Sequence, residues 1–371
     1  MTSHRDNLAP VARSANRRTF LRNTLGIGTA IATLPSTSTL FASPASAQQP
    51  ATNRTDPDII TRSIPRTKEI LPAIGLGTFL TFDVIPGQKR DHLREVMRRY
   101  WDAGVRVIDT SPLYGTAEIT VGDYATSLNM TGNMFIANKI WSTGDFLADE
   151  SHARRSLALS EGRLWRAPID LMQCHSLVNV DIVVPYLRAW KKEGRIRYTG
   201  VTHYENPYHE PLTQWVERGD LDFVQVNYSI FNRAAEDRLI PAASDRGIAV
   251  VTNMPFEKAR LFKVVEGRPL PPFAKDFGAE NWAQFFLKWV ISNPAVTCVL
   301  PATADPAHAA ENVGALRGPL PDRAMRARMV QHMQTIPGFD QIAKMPWYPD
   351  KKYPGIIGRS QGELRASVRH T

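Results

Sequence analysis

Eight short apolar runs alternate with longer amphipathic segments between residues 74 and 316. Their sequences are IGLGTF, VRVIDT, MFIANKI, DLMQCHSL, IRYTGVT, FVQVNYS, IAVVTNM and VTCVLP, with almost no polar alternation. Strands of this kind are buried on both faces, as in a parallel sheet covered by helices. Segments such as RDHLREVMRRYWDAG and ENWAQFFLKWVISNP repeat apolar residues every three or four positions, which predicts helices between the strands.

The number of repeats favours an α/β fold of the closed (β/α)8 type, a TIM barrel. The alternative is an open, doubly wound sheet that binds a dinucleotide, and it predicts a GxGxxG motif after the first strand. The first run offers only Gly75 and Gly77, and no helical pattern follows it. We therefore predict a single catalytic barrel domain over residues 59–336.

Two further segments flank the predicted barrel. Residues 59–75, with the sequence IITRSIPRTKEILPAIG, predict a short N-terminal hairpin that closes the floor of the barrel. Residues 337–371 are rich in proline, glycine and aromatic residues and have no clear period, so they predict an irregular C-terminal tail on the surface.

The first 47 residues resemble a bacterial twin-arginine export signal. The paired Arg17 and Arg18 are followed by a Phe-Leu pair and a moderately apolar stretch, and the small Ala45 and Ala47 suit a signal peptidase. Such a signal is recognised on proteins that are exported already folded. The resemblance implies a signal over residues 1–47 and a linker over residues 48–58.

A membrane anchor is the alternative for this stretch. Pro35 interrupts it, and it falls short of the roughly 20 apolar residues that a spanning helix needs. We therefore expect the precursor to meet the twin-arginine export machinery and the mature protein to be periplasmic, without stable membrane insertion.

The net charge of +9 raises the question of a nucleic-acid partner. The first 47 residues hold five arginines and one aspartate, so four of these nine charges lie in the predicted signal. The remaining cations are interspersed with acids and form no run of five, which argues against a nucleic-acid surface. The two cysteines, Cys174 and Cys298, lie in strand-like runs and predict buried free thiols rather than a disulfide.

Polar residues recur where the predicted strands end. In this fold the carboxyl ends of the strands meet at one mouth, and chemistry is found there. Each residue alone has an ordinary explanation as a helix cap, a core residue or a packing residue. Together they form a candidate site, whose members are Asp109, Tyr114, Lys139, His175, Thr202, His203, Gln225 and Asn227.

Four of these residues can together donate a proton to one oxygen. A phenol titrates near 10, so Tyr114 needs a neighbouring ammonium, and Lys139 can lower its pKa. Asp109 would keep that buried lysine charged, and a neutral His175 would hold a carbonyl oxygen near the phenol. We expect carbonyl reduction from this set. No metal site is predicted, because His175 has no second ligand at a suitable spacing.

The segments VRVIDTSPLYGTAE, MFIANKI, IDLMQCHSL, GRIRYTGVTHY, VQVNYS and CVLPATADPAHAAENVGAL resemble the aldo-keto reductases. The similarity runs from about Leu71 to Leu316. It implies a (β/α)8 barrel that binds a nicotinamide cofactor across its mouth. The catalytic tetrad of the family falls on Asp109, Tyr114, Lys139 and His175.

The resemblance also implies a set of cofactor-binding residues. Gln225 matches the residue that holds the nicotinamide carboxamide, and Tyr228 stands near the position of the aromatic ring that stacks on it. Thr202 and His203 replace a Ser-Asn pair, and His203 departs from that pattern. The remaining predicted contacts are Gly77, Thr78 and Asp109, then Met254, Pro255 and Phe256 for the pyrophosphate, and Thr303, Glu311 and Asn312 toward the adenine.

The choice between NADP(H) and NAD(H) depends on a cation for the 2′-phosphate. The family commonly places an arginine or lysine where this chain has Ala304 and Asp305. Another cation is then needed, and Arg260, Lys258 and Lys263 are candidates. Because the family commonly uses NADP(H), the resemblance favours NADP(H) as the cofactor, and NAD(H) is also compatible with the sequence.

The sequence thus predicts an NAD(P)-dependent oxidoreductase that reduces a small aldehyde or ketone. Two alternatives stay open at this point. One is a non-catalytic barrel that binds the cofactor or senses its redox state, and the other is a lyase that forms a Schiff base on Lys139.

Overall fold

The structure, a computed structural model, describes residues 58–85, 87–143 and 149–361. The predicted export signal and all of the predicted linker except Asp58 lie outside the described residues. None of the helices in this part of the chain is long and apolar enough to cross a membrane.

The described chain begins with two short antiparallel strands, β1 (Thr61–Ser63) and β2 (Ile70–Pro72). Ile64 and Leu71 of this hairpin are buried in the same cluster as side chains from the interior of the barrel. The hairpin therefore covers the amino-terminal end of the barrel strands.

Eight parallel strands follow, each overlapping one of the predicted runs and paired with its neighbours in chain order. The sheet closes on itself, because the N–H groups of Gly75 and Gly77 donate to the carbonyls of Val299 and Pro301 at 2.8 and 3.0 Å. The predicted (β/α)8 barrel is confirmed. Its strands are β3 Leu76–Gly77, β4 Val107–Asp109, β5 Phe135–Ile140, β6 Ile169–Cys174, β7 Ile196–Thr202, β8 Phe223–Asn227, β9 Ala249–Asn253 and β10 Val296–Val299.

Helices cover the outer face of the barrel. Where a cap is formed by a side chain, it is an acid or amide: Asn281, Asp305 and Asp322 each accept a hydrogen bond from a backbone N–H in the first turn that follows. The helices are α1 Asp91–Asp102, α2 Ala117–Ser127, α3 Ser151–Leu164, α4 Val180–Lys192, α5 His209–Glu217, α6 Leu239–Asp245, α7 Arg260–Val264, α8 Trp282–Ile291, α9 Pro306–Gly314 and α10 Arg323–Gln334.

The alternation of side chains along the strands divides the core into two parts. Outward-facing residues pack under the helices, while inward-facing ones such as Phe135, Leu171 and Phe223 fill the barrel. Toward the carboxyl ends of β4, β5 and β8 the inward positions Asp109, Lys139 and Gln225 are polar. Apolar side chains thus fill the barrel interior below a layer of polar side chains at the carboxyl ends of the strands.

The chain after α10 returns to this end of the barrel. It forms a 3-10 turn over Phe339–Lys344 and a last helical turn over residues 356–361. Between these turns, Trp347, Tyr348 and Tyr353 reach the mouth of the barrel.

Candidate active site

A buried ion pair lies at the centre of the polar layer. The Lys139 ammonium donates hydrogen bonds of 2.8 Å to the Asp109 carboxylate and 2.8 Å to the carbonyl of Thr110. The two side chains are only 2% and 6% exposed. Burial lowers the pKa of Lys139 and raises that of Asp109, and the attraction between the two groups opposes both shifts.

Tyr114 stands beside this pair, in the loop after β4. Lys139 Nζ lies 5.0 Å from the centre of its ring, and the rings of Phe79 and His175 lie 5.0 and 5.9 Å away. Burial, with the Asp109 carboxylate nearby, raises the pKa of Tyr114 well above 10. The expected net lowering of this pKa is therefore not found, because desolvation of the phenolate is the largest effect. The phenol stays protonated across the neutral range.

His175 faces the same space from a 3-10 turn just after β6, rather than from within that strand as predicted. Its Nδ1 lies 3.3 Å from Ser111 Oγ, and that oxygen accepts a hydrogen bond from the N–H of Leu113. The Ser111 hydroxyl can then donate to Nδ1, which leaves the proton of the imidazole on Nε2. Burial and the Lys139 charge lower the pKa of His175 to about 3, so the ring is neutral.

A second buried carboxylate supports Lys139 from behind. Glu118 accepts hydrogen bonds from Asn138 at 2.9 Å, Ser160 at 2.6 Å and Arg163 at 2.9 Å. The other end of the Asn138 amide accepts the N–H of Lys139 at 2.8 Å. The network fixes the backbone that carries the lysine. Sequence reasoning missed it, since Glu118 and Ser160 come from two different helices.

A third buried carboxylate, Asp83, links the loop of Tyr114 to the C-terminal tail. Its Oδ1 accepts the N–H of Thr116 at 3.1 Å, and its Oδ2 accepts the N–H of Ile357 at 2.7 Å. Gly115 lies between Tyr114 and Thr116 with φ at +61°, and a Cβ there would come within 2.2 Å of the carboxylate. Only glycine fits this close approach.

A cavity of about 1250 Å³ opens above these groups. It is large enough for a dinucleotide together with a small substrate. The structure brings most of the predicted site residues to its wall, namely Gly77, Thr78, Asp109, Tyr114, Lys139, His175, Thr202, Gln225, Met254, Pro255, Phe256, Thr303, Glu311 and Asn312.

Three predicted contacts do not line this cavity. Tyr228 is fully buried under the helices, where it packs on Trp289, because it lies at an odd number of positions from the inward-facing Gln225. His203 stacks on Tyr208 at 3.6 Å, and its Nδ1 accepts two backbone N–H groups of its own turn. The structure brings neither side chain to the cavity, and both cofactor contacts stay predictions.

Arg260 does not line the cavity either. It is 5% exposed and forms an ion pair of 3.0 Å with the buried Glu257. Among the other two candidate cations, Lys258 lies over the ring of Trp347, and Lys263 contacts Glu266 at 2.8 Å and Asp350 at 2.9 Å. Both line the cavity, and each is engaged with the tail.

Other wall residues were missed by the sequence analysis. The Oδ1 atom of Asn253 is buried beside the cavity and has no hydrogen-bond partner among the described residues. Asn253 is the last inward position of β9, so the alternation of side chains could have identified it. Gln173 donates to Gln225 at 3.1 Å from the equivalent position on β6. Trp347, Tyr348 and Tyr353 come from the tail, which has no such pattern.

Residues 73–329 match the aldo/keto reductase family. Among curated proteins, the NADH-specific methylglyoxal reductase of Escherichia coli is 26% identical over 269 residues, which cover 59% of this chain and 81% of the relative. The L-galactose dehydrogenase of Arabidopsis thaliana is 24% identical over 281 residues, which cover 69% and 87%.

Solved structures show the same fold. An aldo/keto reductase of Klebsiella pneumoniae in complex with NADP and acetate has a TM-score of 0.60 at 23% identity, covering 73% of this chain and 94% of that one. The holo form of an aldo-keto reductase of Bacillus halodurans has a TM-score of 0.60 at 18% identity, covering 74% and 96%.

Proposed function

Since this chain belongs to the aldo/keto reductase family, we propose that the cavity above Asp109 and Lys139 is its active site, with Tyr114 as the proton donor. The protein is an NAD(P)-dependent oxidoreductase that reduces the carbonyl group of an aldehyde or ketone. The observation that carries the assignment is the buried ion pair of 2.8 Å beside a phenol that opens onto the cavity.

Tyr114, Lys139 and His175 have separate roles in the proton transfer. A reduced nicotinamide, when bound, supplies the hydride that the carbonyl carbon accepts. Tyr114 gives its proton to the carbonyl oxygen as negative charge develops there. The Lys139 ammonium, 5.0 Å from the ring centre, stabilises the phenolate that remains. His175, neutral and with its free N–H on Nε2, can donate a hydrogen bond to the same oxygen.

The wall of the cavity fits a dinucleotide. The unpartnered Oδ1 of Asn253 and the amide of Gln225 offer polar contacts at the reacting end. Asn312 and Glu311 lie on α9, where the adenine end is expected. NADP(H) remains the preferred cofactor and NAD(H) is compatible, since each lysine near the predicted 2′-phosphate position also has partners in this structure.

Family membership favours the reductase over both alternatives. The geometry adds a reason against a Schiff base on Lys139. The Lys139 side chain is 2% exposed, and its ammonium gives two hydrogen bonds of 2.8 Å to Asp109 and Thr110, so no free amine faces a substrate.

The test replaces the proposed donor. Tyr114→Phe is expected to lower kcat for methylglyoxal or an aldose by about 10²- to 10⁴-fold, the usual contribution of a general acid. Its affinity for NADPH and NADH, followed by fluorescence, should stay close to that of the wild type. Tyr186→Phe makes the same change on α4, away from the cavity, and serves as the control. A Tyr114→Phe enzyme with full activity would refute the assignment.

We also propose that the chain is exported through the twin-arginine route and acts in the periplasm. Arg17, Arg18 and the Ala45-Ser-Ala47 sequence support this. Fractionation of bacterial cells should find the full chain processed and periplasmic, and the double substitution Arg17→Lys with Arg18→Lys should retain the precursor in the cytoplasm. Equal export of the two chains would contradict the proposal.

A further inference from the structure

A second, smaller cavity of about 320 Å³ adjoins the active site. Leu113 lines both cavities, and it directly precedes Tyr114 in the chain. Ser111, whose hydroxyl lies 3.3 Å from His175 Nδ1, also lines the smaller one. The two cavities therefore share a wall beside the proposed proton donor.

Large apolar side chains are exposed in this side cavity. Leu113 is 41%, Trp141 38% and Leu159 49% exposed, and all three line it. Three exposed apolar side chains around one cavity beside an active site are typical of a surface that a ligand covers.

The charged or titratable groups that line this cavity are basic, and they come from α3, the helix that also carries Leu159. Arg163 is neutralised by the buried Glu118 at 2.9 Å. His152 contacts the hydroxyl of Ser142 at 3.1 Å. Arg155 is exposed, lines the cavity and contacts no carboxylate among the described residues. Its neighbour Arg154 is paired with Glu150 and does not line the cavity.

From this arrangement we propose that the side cavity binds the far end of the substrate, and that the substrate is an aldehyde or ketone carrying a carboxylate on an apolar spacer. The spacer would pack on Leu113 and Trp141, and the carboxylate would bind Arg155. The proposal rests on the proposed function for the position of the carbonyl, but the side cavity can be tested by itself.

The first experiment compares two aldehydes that differ in charge alone, 4-carboxybenzaldehyde and 4-carbamoylbenzaldehyde. The wild type should show the higher kcat/KM for the charged one. Arg155→Gln should lower the ratio of the two kcat/KM values by about tenfold or more, the range of a lost charge-assisted hydrogen bond. Arg155→Lys should retain part of the ratio. Arg154→Gln is the matched control on the same helix and should keep the ratio of the wild type.

The second experiment does not depend on catalysis. Calorimetry with 4-methylbenzoate, which has no reducible carbonyl, should show binding to the wild type and to Arg154→Gln, and at least tenfold weaker binding to Arg155→Gln. If the carboxylate binds through Arg155 but neither aldehyde is reduced, the proposed function fails while the subsite stands. An unchanged ratio in Arg155→Gln, or no difference in benzoate binding between the three chains, would overturn the subsite.

Discussion

The Asp83 carboxylate accepts a hydrogen bond of 2.7 Å from the N–H of Ile357, 274 positions further along the chain. Its other oxygen accepts the N–H of Thr116, two positions after Tyr114. One buried side chain thus fixes both the proposed proton donor and the tail that lies over the cavity. Asp83 is therefore a positioning residue whose loss should affect both segments together.

The first prediction concerns Asp83→Asn. An asparagine presents an NH2 group to one of the two N–H donors, so one of these hydrogen bonds is lost and a buried donor faces another donor. We expect about 1 to 3 kcal/mol of lost stability and a fall in kcat. Limited proteolysis should cut the tail faster, at its exposed lysines 351 and 352. Asp340→Asn is the control, because its carboxylate lies on the surface of the tail. Unchanged proteolysis would show that the tail is held elsewhere.

The second prediction concerns Gly115→Ala. The backbone there has φ at +61°, and the added Cβ would lie 2.2 Å from Asp83 Oδ1. Strain and the clash together should cost roughly 1 to 3 kcal/mol of unfolding free energy and displace Tyr114. Gly162→Ala makes the same change inside α3, where nothing lies within 4 Å of the new Cβ. That control should be neutral or stabilising by about 0.5 to 1 kcal/mol. Equal urea-unfolding curves for the two variants would refute the argument.

Much of the fold was predictable, because a strand that is buried on both faces appears in the sequence as a continuous apolar run. Eight apolar runs separated by helical periods fit few architectures, and each run contains or overlaps a barrel strand. Asp109 and Lys139 stood out for the same reason, since a polar residue at the end of an apolar run is costly unless it has a partner. The family resemblance then connected them to Tyr114 and His175.

Three predicted contact residues lie away from the cavity for two physical reasons. Tyr228 and His203 were predicted from the family positions that they resemble, but Tyr228 packs on Trp289 under the helices and His203 stacks on Tyr208. Arg260 could not be judged from sequence, since its burial against Glu257 depends on three consecutive residues with positive φ, Glu257, Lys258 and Ala259. The role of Asp83 likewise depends on a contact with the tail, which no local pattern encodes.

The third prediction concerns pH and stability. Burial holds the pKa of His175 at about 3, below its usual 6.5. Between pH 3 and pH 6.5 the imidazole binds a proton in the unfolded chain but not in the folded one. The free energy of unfolding therefore has its full value above pH 6.5 and decreases as the pH falls toward 3. The slope is about 1.4 kcal/mol per pH unit for one group.

His175→Asn removes this dependence. The loss of unfolding free energy between pH 7 and pH 5, measured in urea, should be smaller in the variant by about 2 kcal/mol. His92→Asn replaces an exposed histidine of α1 and should keep the dependence of the wild type. If both variants follow the wild type, the buried imidazole is not what destabilises the protein in acid.

The last prediction concerns the choice of cofactor. Lys263 lines the cavity near the predicted 2′-phosphate position, but the carboxylates of Glu266 and Asp350 lie 2.8 and 2.9 Å from its ammonium. A phosphate placed there would meet a cation whose charge is already balanced. Asp350→Asn removes one carboxylate, and because the pair is exposed we expect a moderate gain, about two- to fivefold tighter NADPH binding. NADH has no 2′-phosphate, so its affinity should not change.

Titration by fluorescence at low salt measures the affinity for both cofactors, with Asp340→Asn as the control. The gain should disappear at about 1 M salt, where the screening length is roughly 3 Å. An equal gain for both cofactors would mean that Asp350 acts on a part that the two share, such as the pyrophosphate.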